Sequence, residues 1–322
     1  MKAILFDQPG GPDVLRLGEA PDPKPAAGEL LVRVRATAAN RADLLQRRGA
    51  YPPPEGASPI LGLELAGEVL SGAGAWRPGD RVMAVVTGGG YAELAAVPAG
   101  MAIRIPDRLS FEEAAAIPEA FLTAFLNLFT LGRLEGGESV LIHAGASGVG
   151  TAAIQLARSA GARVLITAGS DEKLARCREL GAEVALHYKR ESFRERVAEA
   201  TVGRGVNLIL DLVGAPYWDD NLASLAIDGR LASIGTLGGS RGQIDISPIL
   251  AKRLTILGAA LRRLPLPQKT ALAKAFAAFA LPRFESGELR PVVDSVYPLA
   301  QAAEAHRYME LNRNTGKIVL RF

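Results

Sequence analysis

The chain has 322 residues, 48% hydrophobic and 22% charged, with a net charge of +3; at roughly 150 residues per domain this is room for about two domains and a large buried core. The small charge excess is scattered, so composition gives no ground for a nucleic-acid partner, and no uncharged apolar run approaches the ~20 residues of a membrane span. The single cysteine, Cys177, excludes an internal disulfide and fits a reducing cytoplasm.

The opening apolar stretch stops at Asp7, shorter than the apolar core of a signal peptide. Residues 1–118 then read as strands and turns. Residues 29–35 alternate apolar with charged side chains in their second half, as a half-buried strand does, and residues 65–70 and 81–86 are further strand candidates. Pro9-Gly10-Gly11-Pro12, Pro52-Pro53-Pro54, Arg77-Pro78-Gly79-Asp80 and Gly88-Gly89-Gly90 punctuate them. With crossover helices scarce, the stretch is expected to form an antiparallel barrel or sandwich. Beyond Phe111 a helix is expected over 120–131, and from Ser139 strands alternate with helices. The strands are expected over 140–143, 163–167, 183–187, 206–211, 230–235 and 254–258, and the helices between the first four over 151–160, 171–180 and 191–200. Ser170 is the expected N-cap of the second of these helices and Gly181 its stop. The alternation predicts an α/β fold with a doubly wound parallel sheet. The tail offers a helix over 269–280 and a last strand over 316–320, which is expected to return to the first domain.

The turn His143-Ala144-Gly145-Ala146-Ser147-Gly148-Val149-Gly150 joins the first of these parallel strands to its helix. Small residues let backbone approach a pyrophosphate, and a helix N-terminus offers free N–H donors and the positive end of its dipole. Ser147 stands where G-x-G-x-x-G has its middle glycine. A turn of this kind by itself is also a packing turn; its strand–turn–helix setting, with five further strands, makes it a dinucleotide site. Ser147, Gly148, Val149 and Gly150 are its expected contacts. An NAD site would place Asp or Glu at the end of the second strand. Here that strand ends Thr167-Ala168-Gly169-Ser170, leaving room for a 2′-phosphate. Ser170 can donate to it, Lys173 can supply a cation, and Tyr188 can stack on adenine or donate its hydroxyl. These residues point to NADPH, against the caution of Asp171 and Glu172 close by.

Taken with residues 40–54 (Asn40 through Tyr51 to Pro54), 60–64, 116–125 and 304–310, these segments resemble the medium-chain dehydrogenase/reductase superfamily over the whole chain, in particular its zinc-free quinone oxidoreductase branch. The resemblance implies a GroES-like, mainly-β catalytic domain from residues 1–118 and 263–322, with a Rossmann NADPH-binding domain over 119–262. It implies a cleft between them with nicotinamide at its floor. It also implies a homodimer joined through strands near residues 254–259, and an exposed sheet edge calls for such a partner anyway. Thr123 matches a family position near nicotinamide, and Gly235, Leu237, Leu261 and Arg262 fall in segments that run beside it.

Zinc-dependent members hold a catalytic zinc through Cys and His, and a catalytic zinc needs three protein ligands. The family's Cys position falls at Asn40, and its Gly-His-Glu element reads Gly62-Leu63-Glu64. The four-cysteine structural lobe is absent. His143, His187 and His306 each stand alone, so no metal is expected. Asn40 is expected to orient the cofactor's ribose or carboxamide, and Tyr51 to hydrogen-bond the substrate carbonyl. The expected reaction is hydride transfer from NADPH to a quinone or related conjugated carbonyl. Reduction of an alkenal or enone C=C bond is the neighbouring alternative. A non-catalytic NADPH- and RNA-binding protein is the alternative of another class.

Overall fold

The alternation read at residues 29–35 lies within a ten-residue strand, β3 (Glu29–Ala38), in which Leu30, Val32 and Val34 are buried while Arg33 and Arg35 face solvent. In the computed structural model, which describes all of residues 1–322, β3 follows a two-stranded antiparallel ribbon, β1 (Lys2–Leu5) and β2 (Arg16–Glu19). After it come helix α1 (Arg41–Arg47), β4 (Glu64–Ser71), β5 (Arg81–Val85), β6 (Leu94–Pro98), β7 (Ile103–Arg104), and helices α2 (Phe111–Ala115) and α3 (Pro118–Phe125). Next are β8 (Ser139–Ile142), α4 (Gly148–Ser159), β9 (Arg163–Ala168), α5 (Asp171–Leu180), β10 (Val184–His187), α6 (Phe193–Ala200) and β11 (Val206–Asp211). The chain continues through α7 (Trp218–Ser224), β12 (Leu225–Ser233), α8 (Ser247–Ala251) and β13 (Thr255–Gly258). It closes with α9 (Leu266–Ser286), β14 (Val293–Pro298), α10 (Ala302–Glu310) and β15 (Lys317–Arg321). No helix is long and apolar enough to cross a membrane.

Two compact units result, Met1–Leu122 with Arg262–Phe322, and Thr123–Leu261. In the first, a seven-stranded sheet runs β14-β15-β3-β4-β5-β7, with β6 also pairing with β3. The last strand, β15, joins it antiparallel to β3 and parallel to β14. Its core gathers Ile4, Leu44, Tyr91, Ala305, Met309 and Ile318. Gly62 adopts φ 98°, and a Cβ there would fall 2.6 Å from the Cα of Gly90, so two loops cross at backbone contact.

In the second unit all six strands are parallel, in the order β10-β9-β8-β11-β12-β13. Numbered within the unit this is 3-2-1-4-5-6, the dinucleotide-binding order. Leu141, Leu165, Leu186 and Ile209 from the strands pack with Phe193, Val197 and Leu222 from the helices. The fold class is therefore the α/β arrangement the alternation predicted.

Three local expectations need correction. Residues 1–118 contain two short helices, α1 and α2, each too short to show helical periodicity. The helix expected over 120–131 starts earlier, with Pro118 at its first position where no N–H is needed, and from Leu126 to Leu131 it widens into π-helical turns. Helix α4 begins at Gly148 rather than at residue 151, because Ser147 caps it.

Candidate functional site

Strand β8 ends where the order of the parallel sheet reverses, and the turn 143–150 opens there. His143 is fully buried, with Nε2 2.7 Å from Asn221 Oδ1 and Nδ1 3.0 Å from Thr167 Oγ1. An amide oxygen only accepts, so His143 carries its proton on Nε2, and Nδ1 accepts from the Thr167 hydroxyl. Burial pushes its pKa down to about 4. It is a neutral pin between β9 and α7. A Cβ at Gly145 would lie 2.8 Å from Ile166 Cβ, and one at Gly150 would lie 2.4 Å from the Ala144 carbonyl oxygen. These two glycines let strand, turn and helix close on one another. Ser147 Oγ accepts from the Gly150 N–H at 3.0 Å. Gly148 and Val149 remain first-turn donors with no intrahelical acceptor, as anion binding requires.

The end of β9 meets the end of β10 beside this turn. Ser170 caps α5, its Oγ accepting from the Lys173 N–H at 3.3 Å. That bond leaves the Ser170 hydroxyl proton for another acceptor. Gly169 lies under the Tyr188 ring, so closely that a Cβ there would be 2.8 Å from the phenol oxygen. Tyr188 itself is 44% exposed. Asp171, whose carboxylate would oppose a phosphate, accepts two 2.9 Å hydrogen bonds from Arg190. The sequence reading had overlooked Arg190. Gly235 and Leu237 lie on the turn after β12, which bonds to the turn after β11 through Leu237 N–H to Leu212 O and Gly238 N–H to Val213 O. Asp211, at the tip of β11, accepts from the Val213 and Gly214 N–H groups. Ser147 to Gly150, Gly169, Ser170, Lys173, Tyr188, Gly235 and Leu237 thus share the carboxyl edge of one sheet. Thr123 is on α3, where its carbonyl accepts from Asn127 Nδ2, and the Leu261 side chain is buried.

In the first unit, Asn40 links the end of β3 to α1. Its Nδ2 donates to Ala38 O and to Glu64 Oε1, and its Oδ1 accepts from Lys317 Nζ at 2.6 Å. Both amide protons are engaged, so Asn40 can offer a ligand only the second lone pair of Oδ1. Lys317 Nζ also donates to Ala39 O and lies 2.7 Å from Glu64 Oε1, forming an ion pair with side chains 6% and 0% exposed. Tyr51 is half-buried, with the Arg262 guanidinium 5.3 Å and that of Arg263 5.9 Å from its ring centre. Arg262 donates to Thr87 O through Nε and Nη2, and to Gln46 Oε1 through Nη2. Its Nη1 is buried without a partner. Phe6, Gln46, Pro52, Pro53 and Ile60 help line a cavity of about 320 Å³ beside the Tyr51 loop.

Behind Asn40 runs a chain of buried polar groups that the sequence reading missed. Arg47 Nη1 donates to His306 Nδ1 at 3.2 Å, which leaves the His306 proton on Nε2, 3.0 Å from the Tyr91 phenol. Tyr91 in turn donates to Asp43 Oδ2 at 3.4 Å. Asp43 accepts from the Asn40 and Gly62 N–H groups, and burial raises its pKa to about 6. Asp43 thereby ties the Asn40 turn to the Gly62-Leu63-Glu64 segment. Lone charges within apolar runs, such as Lys317 before Ile318-Val319-Leu320, were the available signal.

No group of three or more His, Cys, Asp or Glu residues is arranged to hold a metal ion. Leu63 is packed in the core, and Cys177 is buried on α5 with its thiol pushed up to about 12 by burial.

Residues 26–107 match the family described as alcohol dehydrogenase GroES-like domain, and residues 148–278 that described as zinc-binding dehydrogenase. A quinone oxidoreductase of Rattus norvegicus is 32% identical, over 99% of this chain and 97% of its own. Three solved structures superpose on the chain. An Escherichia coli quinone oxidoreductase complexed with NADPH superposes with a TM-score of 0.90 at 29% identity, covering 100% of both chains. A protein described as an NAD-dependent alcohol dehydrogenase gives 0.89 at 34%, also covering 100% of both. The CurK enoyl reductase gives 0.88 at 27%, over 99% of this chain and 98% of its own.

Proposed function

This chain belongs to the medium-chain dehydrogenase/reductase family, and we propose that it is an NADPH:quinone oxidoreductase that reduces quinones or related conjugated carbonyls without a metal. The observation that carries the cofactor is the carboxyl edge of the parallel sheet. A capped helix N-terminus opens at the switch point, and the position an NAD enzyme fills with a carboxylate holds Gly169 and Ser170. NADPH supplies the hydride. Gly148 and Val149 N–H groups hold its pyrophosphate. Ser170, Lys173 and Arg190 face its 2′-phosphate, and Tyr188 lies over the adenosine. Gly235, Leu237, Thr123 and the Leu261–Arg262 turn lie along the nicotinamide half, and Asn40 Oδ1 accepts from it. Tyr51 hydrogen-bonds the acceptor, whose apolar part enters the cavity beside Pro52 and Pro53.

Metal independence is supported by Asn40 and Leu63, which supply neither thiolate nor imidazole where zinc-dependent members have both, and by the Lys317 ammonium seated against Glu64. The single buried thiol fits a reducing cytoplasm. The alkenal or enone reading draws on the likeness to an enoyl reductase, and the same hydride geometry serves both.

Steady-state reduction of 1,2- and 1,4-quinones with NADPH, repeated after chelation, tests this reading; a strong preference for alkenals, or loss of activity on chelation, would overturn it. Lys173→Ala is expected to weaken NADPH about tenfold or more and NADH little, since one charge-assisted phosphate contact contributes about 1.5–3 kcal/mol. Equal losses for both cofactors would remove the phosphate role.

A further inference from the structure

Glu119 is the second residue of α3, and its N–H donates to Glu64 Oε2 at 2.8 Å. The side chain has no such anchor. Its Oε2 is shielded from water and has no hydrogen-bond partner. Arg262 Nη1 is in the same condition, and the two residues lie within electrostatic reach of each other in one unit. Buried polar atoms are nearly always satisfied, so two such orphans in one unit call for a missing partner. One is a carboxyl and the other a cationic N–H, and when the carboxyl holds its proton both donate, so one carbonyl oxygen satisfies both. Tyr51, against the face of Arg262, adds a third polar group at this place.

The charged groups around Glu119 are Glu64, Asp43, Lys317, Arg262 and Lys269. Burial first, and the charge of Glu64 second, raise its pKa to about 8, against the pull of Lys317 and Arg262. Glu119 therefore keeps its proton at neutral pH and loses it as pH rises through about 8.

We propose that Glu119 is the proton donor to the reduced acceptor, with Arg262 Nη1 hydrogen-bonding the acceptor's carbonyl oxygen. This rests on the reading of the chain as a reductase of conjugated carbonyls. Hydride from NADPH brings two electrons to one end of the conjugated system, and negative charge gathers on the carbonyl oxygen. As the O–H bond of Glu119 breaks, an O–H bond forms on the acceptor. The Glu119 carboxylate is then reprotonated from solvent. An enolate needs this proton more than a hydroquinone anion does, because the latter is the weaker base.

The test is Glu119→Gln, which keeps size and polarity but has no transferable proton. For an enone, kcat is expected to fall about 100-fold or more, with KM nearly unchanged, and the alkaline limb of kcat/KM near pH 8 should disappear. A quinone is expected to lose less. Glu119→Asp should retain the limb at reduced kcat, and serves if the glutamine variant does not fold. Infrared difference spectra of the cofactor-free protein are expected to show a protonated-carboxyl band at pH 7 that is absent from Glu119→Gln and shifts when 1,4-naphthoquinone is added. An unchanged pH profile, equal losses for enone and quinone, or no such band would overturn the proposal. A wild-type protein that reduces neither acceptor would overturn the functional reading instead, and the infrared band would still decide whether Glu119 holds a proton and meets a carbonyl.

Discussion

Single atoms decide most of what the cofactor edge can do. Gly150 and Gly169 look alike in the sequence, yet a methyl group at each meets different neighbours. At Gly150 it would meet the carbonyl oxygens of Ala144 and Gly145 at 2.4 and 2.6 Å, and backbone cannot step aside. At Gly169 it would meet the far end of the Tyr188 side chain at 2.8 Å, and an exposed ring can rotate away. Gly150→Ala is therefore expected to destabilise the fold by about 1–3 kcal/mol. Gly169→Ala should leave stability within about 0.5 kcal/mol and weaken NADPH through the displaced ring. Urea unfolding and fluorescence titration of NADPH check both, and equal stability losses would contradict the distinction. The Lys317–Glu64 pair belongs to this scale too. Its charges are buried together, and its three ammonium protons find Ala39, Asn40 and Glu64. Removing either partner would strand the other charge.

Among elements, the Arg47–His306–Tyr91–Asp43 chain has one direction. Each donor is set by its neighbour, and the chain joins α1, α10 and the loop that holds Tyr91. His306 stays neutral because burial and the nearby Arg47 charge push its pKa down to about 3. Tyr91→Phe removes the acceptor of the His306 Nε2–H and one donor to Asp43. The expected cost is about 1–3 kcal/mol, that of a buried group left unsatisfied, with little effect on NADPH affinity because the Asn40 side chain stays held by Ala38, Glu64 and Lys317. A stability loss smaller than about 0.5 kcal/mol, or a large change in NADPH affinity, would show that the chain is not the structural tie described here. Asp43, which receives the chain, and Asn40, whose N–H donates to Asp43, head α1, a helix of only seven residues. A helix this short is marginal alone, so these bonds help hold it.

At the scale of the whole molecule, one unit closes its cofactor edge with a continuous parallel sheet, and that sheet ends at an open strand. β13 pairs only with β12, and Ile256 on it is 37% exposed. An unpaired edge of this kind is a ready template for a second copy. We expect a dimer joined edge to edge there, and sedimentation should find a dimer that Ile256→Pro converts to monomer. A monomeric wild type, or a dimer indifferent to that substitution, would overturn it.

Much of this was legible along the chain. The small-residue turn at 143–150, the strand–helix alternation after it and the cap at Ser170 are local signals, because backbone conformation and short-range hydrogen bonding are written in neighbouring residues. Residues 41–47 and 111–115 were not legible as helices, since five to seven residues carry too little periodicity. The partners of Asn40, Arg262 and Glu119 were not legible either. Lys317 reaches Asn40 across 277 positions, and Arg262 reaches Gln46 across 216. The sequence by itself determined the nucleotide-binding architecture and the absence of a thiolate and an imidazole at Asn40 and Leu63. Only the tertiary structure decided which buried polar atoms are satisfied and which are left without a partner. Burial raises the energy of an unpaired group by its lost hydration, and which groups are buried together depends on contacts between residues distant in the chain.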